Sequence, residues 1–81
     1  MQFEWDEAKA PRNLVLHGVD FEDAVEVFLD SCRLEIEDDR FDYGERRFVV
    51  FGTVSDLLLA VVFTQRETAI RIISARRAEA K

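Results

Sequence analysis

Histidine is the one side-chain type that ordinarily changes charge near neutral pH, and this chain has a single one, His17. It is the natural proton donor or acceptor here. It also stands one residue before Gly18, where a positive group simply complements the C-terminal end of a helix dipole. Arg66, Arg76 and Arg77 supply planar, permanently charged forks that hold phosphate oxygens through paired hydrogen bonds. Arg66 is expected in a hairpin turn and Arg76 and Arg77 beyond the last strand, so that all three project toward one phosphate. Solvated surface is the alternative for each. Glu45 is a candidate general base, although Arg46 and Arg47 beside it lower a carboxylate's pKa and favour a salt-bridged strand end. Lys9 offers a further cation and Tyr43 an aromatic ring. The set points to proton transfer beside a phosphate.

Metal and thiol chemistry lack their spacing. A Ca²⁺ loop beginning at Asp39 would place Gly44 correctly at its sixth position but Phe41, Tyr43 and Val50 where oxygen ligands are needed. Cys32 has no second cysteine and no obvious His partner, so an internal disulfide is excluded, zinc binding and thiol catalysis lack their spacing signals, and it is expected to pack at a helix end.

The elements that must position these residues can be read from period and punctuation. Phe3 and Trp5 alternate with Gln2 and Glu4, which predicts a short edge strand leading to a helix capped by Asp6 and running toward Gly18. Pro11 inside a helix would cost about 3 kcal/mol, so the helix either kinks there or starts near it. A second helix is predicted from Asp20, with Asp23 completing a variant capping box. Phe21, Ala24, Val25, Phe28 and Leu29 form its apolar stripe. From Leu34 the period becomes two, Leu34 and Ile36 alternating with Glu35 and Glu37. After a loop from Asp38 to Gly44, three runs read as strands, Arg46 to Val54, Leu57 to Thr64 and Ala69 to Ser74, joined by turns too short for anything but antiparallel hairpins. The apolar run LLLAVVF is predicted to be central and covered on both faces. Arg76 and Arg77 are expected to open a last helical turn. The fold class is therefore α+β: a short N-terminal strand, two helices and a four-stranded antiparallel meander, in a single domain over 1–81.

Length and composition agree. Eighty-one residues, 48% of them apolar with seven Phe and one Trp, suit one core and no more. No apolar stretch approaches a membrane span and the N-terminus is acidic, so a cytoplasmic protein is expected. The formal charge is −6, which disfavours nucleic acid at first sight. Its distribution is two-sided: residues 1–42 carry thirteen acids and four bases, residues 43–81 seven bases and four acids. Partners of opposite charge are thus both accommodated.

Local spellings add a resemblance. Phe3-Glu4-Trp5-Asp6 with Lys9, Asn13-Leu14, His17-Gly18-Val19 and Phe21-Glu22-Asp23-Ala24 are followed by Asp42-Tyr43-Gly44-Glu45-Arg46-Arg47 and by the run from Ile70 to Ala78. Together these resemble the BrnT family of type II toxin–antitoxin toxins. The resemblance implies a RelE-like fold, metal-independent cleavage of RNA that inhibits translation, and no cofactor. It further implies neutralisation by a BrnA-like ribbon-helix-helix antitoxin, two toxins with two antitoxins, with DNA met only through the antitoxin. On that view His17, Arg66, Arg76, Arg77 and Glu45 are the catalytic candidates, and Lys9, Tyr43, Arg46 and Arg47 the RNA-binding ones. Two departures remove positive charge: Leu16 stands where the family usually has a basic residue, and the family's charged C-terminal helix is expected to be missing after the run to Ala78. They favour a second reading, an antitoxin-binding module with little catalysis.

Overall fold

A computed structural model describes residues 2–40 and 42–78. Strand β1 (Gln2–Trp5) is followed by helices α1 (Lys9–His17) and α2 (Phe21–Glu26), a 3-10 turn (Val27–Leu29), and strands β2 (Leu34–Asp38), β3 (Arg47–Val54), β4 (Leu57–Arg66) and β5 (Ala69–Arg77). Strands β2 to β5 form the predicted antiparallel meander. β1 joins it as a fifth strand, parallel to β5, in the order β1-β5-β4-β3-β2. Among the described residues no helix is long and apolar enough to cross a membrane.

The N-terminal punctuation works slightly differently from expectation. Asp6 caps a turn, its carboxylate accepting the Ala8 N–H at 2.9 Å, and the helix begins at Lys9. Pro11 therefore falls in the first turn, where its missing N–H has no intrahelical acceptor to lose. Of the two alternatives for Pro11, the helix that starts beside it is the one observed. Gly18 closes α1 in the left-handed conformation, φ 72°. Asp20 caps α2, but it accepts from the Glu22 N–H at 3.0 Å.

The apolar stripe of the second helix needs one correction. Phe21 and Ala24 are buried and Val25 and Phe28 half-buried, whereas Leu29 is exposed and Val27, outside the predicted stripe, is buried. The chain tightens to three residues per turn at Val27, which rotates the last positions off the 3.6-residue period. The tightened turn lies directly on the sheet: a Cβ on Gly52 would come within 2.8 Å of Val27 Cγ1.

One core forms between the helices and the sheet face bearing Val50, Leu59, Val61, Phe63, Ile70, Ile72 and Ala75. Rings cross the layer, Phe28 against both Phe3 and Phe63 and Trp5 against Phe21. The run LLLAVVF is central, as its composition predicts, yet it is not covered on both faces. By strand alternation, β2, β3 and β4 present Ile36, Val49, Phe51 and Val62 on the opposite face, where no described helix packs. These residues are half-buried or exposed. Cys32 is exposed in the turn before β2 and not packed at a helix end.

Candidate functional site

The open face of the sheet and the helix beside its β5 edge place the predicted site residues. β1 pairs with β5 only as far as Trp5 against Ile72. Beyond that point the edge of β5 would be left without a partner. Asn13 of α1 fills the gap: its amide donates to Ala75 O at 2.8 Å and accepts from Ala75 N at 3.1 Å, as a neighbouring strand would, and it also donates to Val19 O at 3.0 Å. One side chain thereby fixes α1 against the edge. The bonds satisfy groups that burial would otherwise penalise.

The β4–β5 ladder is interrupted between Val62 and Phe63, where Val62 faces Ser74 and Phe63 faces Ile72. Ile73 is the extra residue of a bulge. A bulge reverses which face each later side chain takes. Ile70 and Ile72 point to the core, while Ser74 and Arg76 point to the open face and Ala75 and Arg77 to the helix side. Arg76 and Arg77 continue β5 and do not begin a helical turn; Glu79–Lys81, where the rest of that turn was expected, lie outside the described residues.

A shallow cleft runs between α1 and this edge, lined by Lys9, Arg12, Asn13, Leu16, His17, Ile73 and Ser74. It contains three nitrogen bases, an amide and a hydroxyl, and no carboxylate. Elsewhere the bases are taken up internally. Arg33 pairs with Glu35, Arg40 with Asp38, Arg46 with Glu37, Arg47 and Arg66 with Glu45, and Arg71 with Glu4. Among the described residues, Lys9, Arg12, Arg76 and Arg77 are the lysine and arginines outside such pairs. Arg77 faces the cleft that also contains Asp23 and Glu26, so its surroundings disfavour phosphate. Lys9, Arg12 and His17 share the α1 cleft, whereas Arg76, two residues beyond Ser74 on the same face, about 7 Å along the strand, lines a separate hollow on the open face with Glu37, Asp38 and Asp39, so its surroundings disfavour phosphate as those of Arg77 do.

The expected convergence of Arg66 with Arg76 and Arg77 does not occur. Arg66 faces Ala69 at the opposite end of β5, about 23 Å from Arg76 at the usual rise per residue. It belongs to a second cluster at the far end of the open face, where Glu45 bridges Arg47 at 3.4 Å and Arg66 at 3.7 Å. Glu45 there is the salt-bridged strand end that its neighbours suggested. In the same cluster Tyr43 lies under the Arg47 guanidinium, 4.2 Å from it, and donates its hydroxyl to Asp38 at 3.1 Å. The Asp38 side chain is only 5% exposed. Hydrogen bonds from the Arg40 side chain and backbone, and from Tyr43, hold its pKa down at about 2. Arg46 turns to the helix side, bound to Glu37 at 2.9 Å and lying over Phe48. The consecutive pair Arg46 and Arg47 therefore serves two faces.

Sequence reasoning missed Arg12 and Ser74. Arg12 was legible, since Lys9, Arg12, Asn13, Leu16 and His17 fall at i, i+3, i+4, i+7 and i+8, one stripe of a helix. Ser74 was not, because its direction depends on the bulge.

Fold and cleft define a small α+β protein with an open sheet face and an unneutralised basic corner beside it. Over residues 5–81 the sequence matches the family described as the ribonuclease toxin, BrnT, of type II toxin-antitoxin systems, and the chain belongs to that family. No curated protein matches it significantly.

Proposed function

We propose that this chain is an endoribonuclease with a RelE-like fold that cuts RNA without a metal, inhibits translation by doing so, and is silenced by a ribbon-helix-helix antitoxin of the BrnA type in an assembly of two toxins with two antitoxins. The observation that carries the catalytic part is the α1 cleft, where Lys9, Arg12 and His17 meet with no carboxylate to neutralise them. RNA cleavage of this kind transfers the 2′-hydroxyl proton to a base while the 2′-oxygen attacks phosphorus. The 5′-oxygen then leaves with a proton from an acid, giving a 2′,3′-cyclic phosphate and a 5′-hydroxyl. His17 serves as one proton carrier. Lys9 and Arg12 stabilise the charge that gathers on the phosphorane. The far cluster of Tyr43, Arg47 and Arg66 contacts RNA further along the open face and is not the reacting centre.

The test is cleavage of a defined RNA by the purified protein, with and without EDTA. Removing a general acid or base ordinarily costs about 10²–10⁴ in rate, so His17→Ala is expected to fall in that range. Arg12→Ala should lower the rate well beyond Arg66→Ala. Full activity of His17→Ala, or loss of wild-type activity with EDTA, overturns the reading.

A second reading is favoured by one observation. Leu16 is 75% exposed and lines the same cleft. Apolar surface there suits a protein partner better than a polyanion. A catalytically weak toxin acting as an antitoxin-binding module would leave growth unaffected on expression, whereas the ribonuclease arrests it.

A further inference from the structure

We propose that the outer edge of β2 is the docking site for a β-strand of the protein partner, and that this strand alternates basic and apolar residues. That a protein partner exists rests on the toxin–antitoxin family; the chemistry of its strand rests on β2.

β2 ends the sheet, paired on one side with β3 over all of Leu34–Asp38 and with no described strand on the other. An edge strand presents its outward N–H and C=O groups to whatever chain can extend the ladder. Proteins blunt such edges with proline, inward charges, bulges or lysines. The sequence LEIED has neither proline nor lysine, its register with β3 is unbroken, and its one inward charge, Asp38, is the last residue of the strand, while Glu35 and Glu37 are exposed. β1, the opposite edge, is a strand of 4 residues, one fewer than β2.

The side chains say what the added strand must carry. Leu34 and Ile36 are 58% and 49% exposed. They stand on the open face level with Phe51 and Val49, and the same rows continue through Ala60 and Val62. Glu35 and Glu37 alternate with them on the other face. A strand added outside β2 places its residues directly opposite these, apolar beside Leu34 and Ile36 and basic beside Glu35 and Glu37.

A second copy of the chain fits poorly. Pairing β2 with itself aligns like faces, so carboxylates oppose carboxylates, and like charges directly opposite destabilise a sheet. A basic strand removes that conflict. The carboxylates already hold Arg33 at 3.2 Å and Arg46 at 2.9 Å. Both pairs are solvent-exposed and so contribute little, and a carboxylate accepts more donors than one arginine supplies. The thirteen acids among residues 1–42 also draw a basic partner to this half of the chain.

The experiment uses the intact protein and three fluorescent nine-residue peptides: alternating Lys and Val, alternating Glu and Val, and the Lys–Val composition arranged in blocks. Anisotropy should show the alternating basic peptide binding about tenfold tighter than the other two, as expected for two favourable cross-strand pairs. Amide hydrogen exchange should slow within Leu34–Asp38 and not within Gln2–Trp5. The double variant Glu35→Lys with Glu37→Lys should reverse the preference toward the acidic peptide. Equal binding of all three peptides overturns the proposal, as do protection elsewhere or self-association of the wild type through β2 in sedimentation. Because the wild-type peptide preference and exchange pattern are read first, poor folding of the variant would not rescue it. RNA cleavage, measured in parallel, tests the ribonuclease reading alone.

Discussion

Asn13→Ala should be among the most damaging single substitutions in this protein. The side chain is 7% exposed and serves three backbone groups, Ala75 N, Ala75 O and Val19 O. Alanine leaves all three without a partner in a buried setting, at about 1–3 kcal/mol for each such group. The losses are not additive, since relaxation and water recover part of them, so about 3 kcal/mol is the reasoned total. A chain of this length has on the order of 4–12 kcal/mol to lose. In urea the unfolding midpoint should fall accordingly, and thermal unfolding should drop by roughly 12–24 °C. Asn13→Asp keeps the shape but turns the donor into an acceptor facing two carbonyls, so at neutral pH it should cost at least as much. Because Asn13 also sets α1 against β5, RNA cleavage should fall at temperatures where the variant is still folded. A loss below about 1 kcal/mol would refute the idea that this amide substitutes for a missing strand.

Gly52→Ala should destabilise by about 1–3 kcal/mol, measured by urea unfolding, because the new methyl meets Val27 Cγ1 at 2.8 Å and Val27 O at 3.1 Å. The β3–β4 hairpin holds Ser55 and Asp56 at φ 50° and 68°, a conformation that Asn-Gly adopts with less strain. Ser55→Asn with Asp56→Gly should therefore raise the urea midpoint, by roughly 1 kcal/mol in stability. Acid should weaken the fold in a defined window. Asp38 is held at about 2, first by the Arg40 side chain, and Asp30 is lowered chiefly by the Thr53 backbone N–H, then by that of Cys32. Groups with depressed folded pKa values stabilise fully above their unfolded value near 4 and lose that contribution as pH falls through the folded one. The urea midpoint should thus hold from neutrality to about pH 5 and decline between about 4 and 2. A midpoint that rises across that interval would contradict the assignment.

Much of the fold was legible in the residues. The alternation of Leu34 and Ile36 with glutamates, the short turns around Ser55 and Glu67, and Gly18 after α1 all act locally, and local signals survive into the sheet and helices they predict. What was not legible depends on events at a distance. Val27 and Leu29 exchange places because the chain tightens to meet Gly52. Val62 lies on a face with no helix over it, which no property of LLLAVVF reveals, since a central strand is apolar whether one face or two is covered. Arg76 and Arg77 read as a tail because polar residues ended the apolar run, yet pairing with Leu59 and Ala60 keeps them in the strand.

The candidate site shows the same division more sharply. A net charge of −6 says little about whether a polyanion can bind, because most of the arginines spend their charge on internal pairs. The useful quantity is which bases remain, and that is a property of the fold. Two features decide it. Asn13 brings the basic stripe of α1 to the β5 edge, and the single extra residue at Ile73 turns Ser74 and Arg76 toward the open face. Without that bulge, strict alternation from Ile70 and Ile72 would send Ser74 and Arg76 into the helix layer and Ala75 outward. The buried small residue that accepts Asn13 would then be absent from its position, and Arg76 would turn to the helix side, where Arg77 now shares a cleft with Asp23 and Glu26. The bulge therefore couples the anchoring of the helix to the direction of the arginine. Neither His17 nor Arg76 would otherwise flank the same stretch of β5.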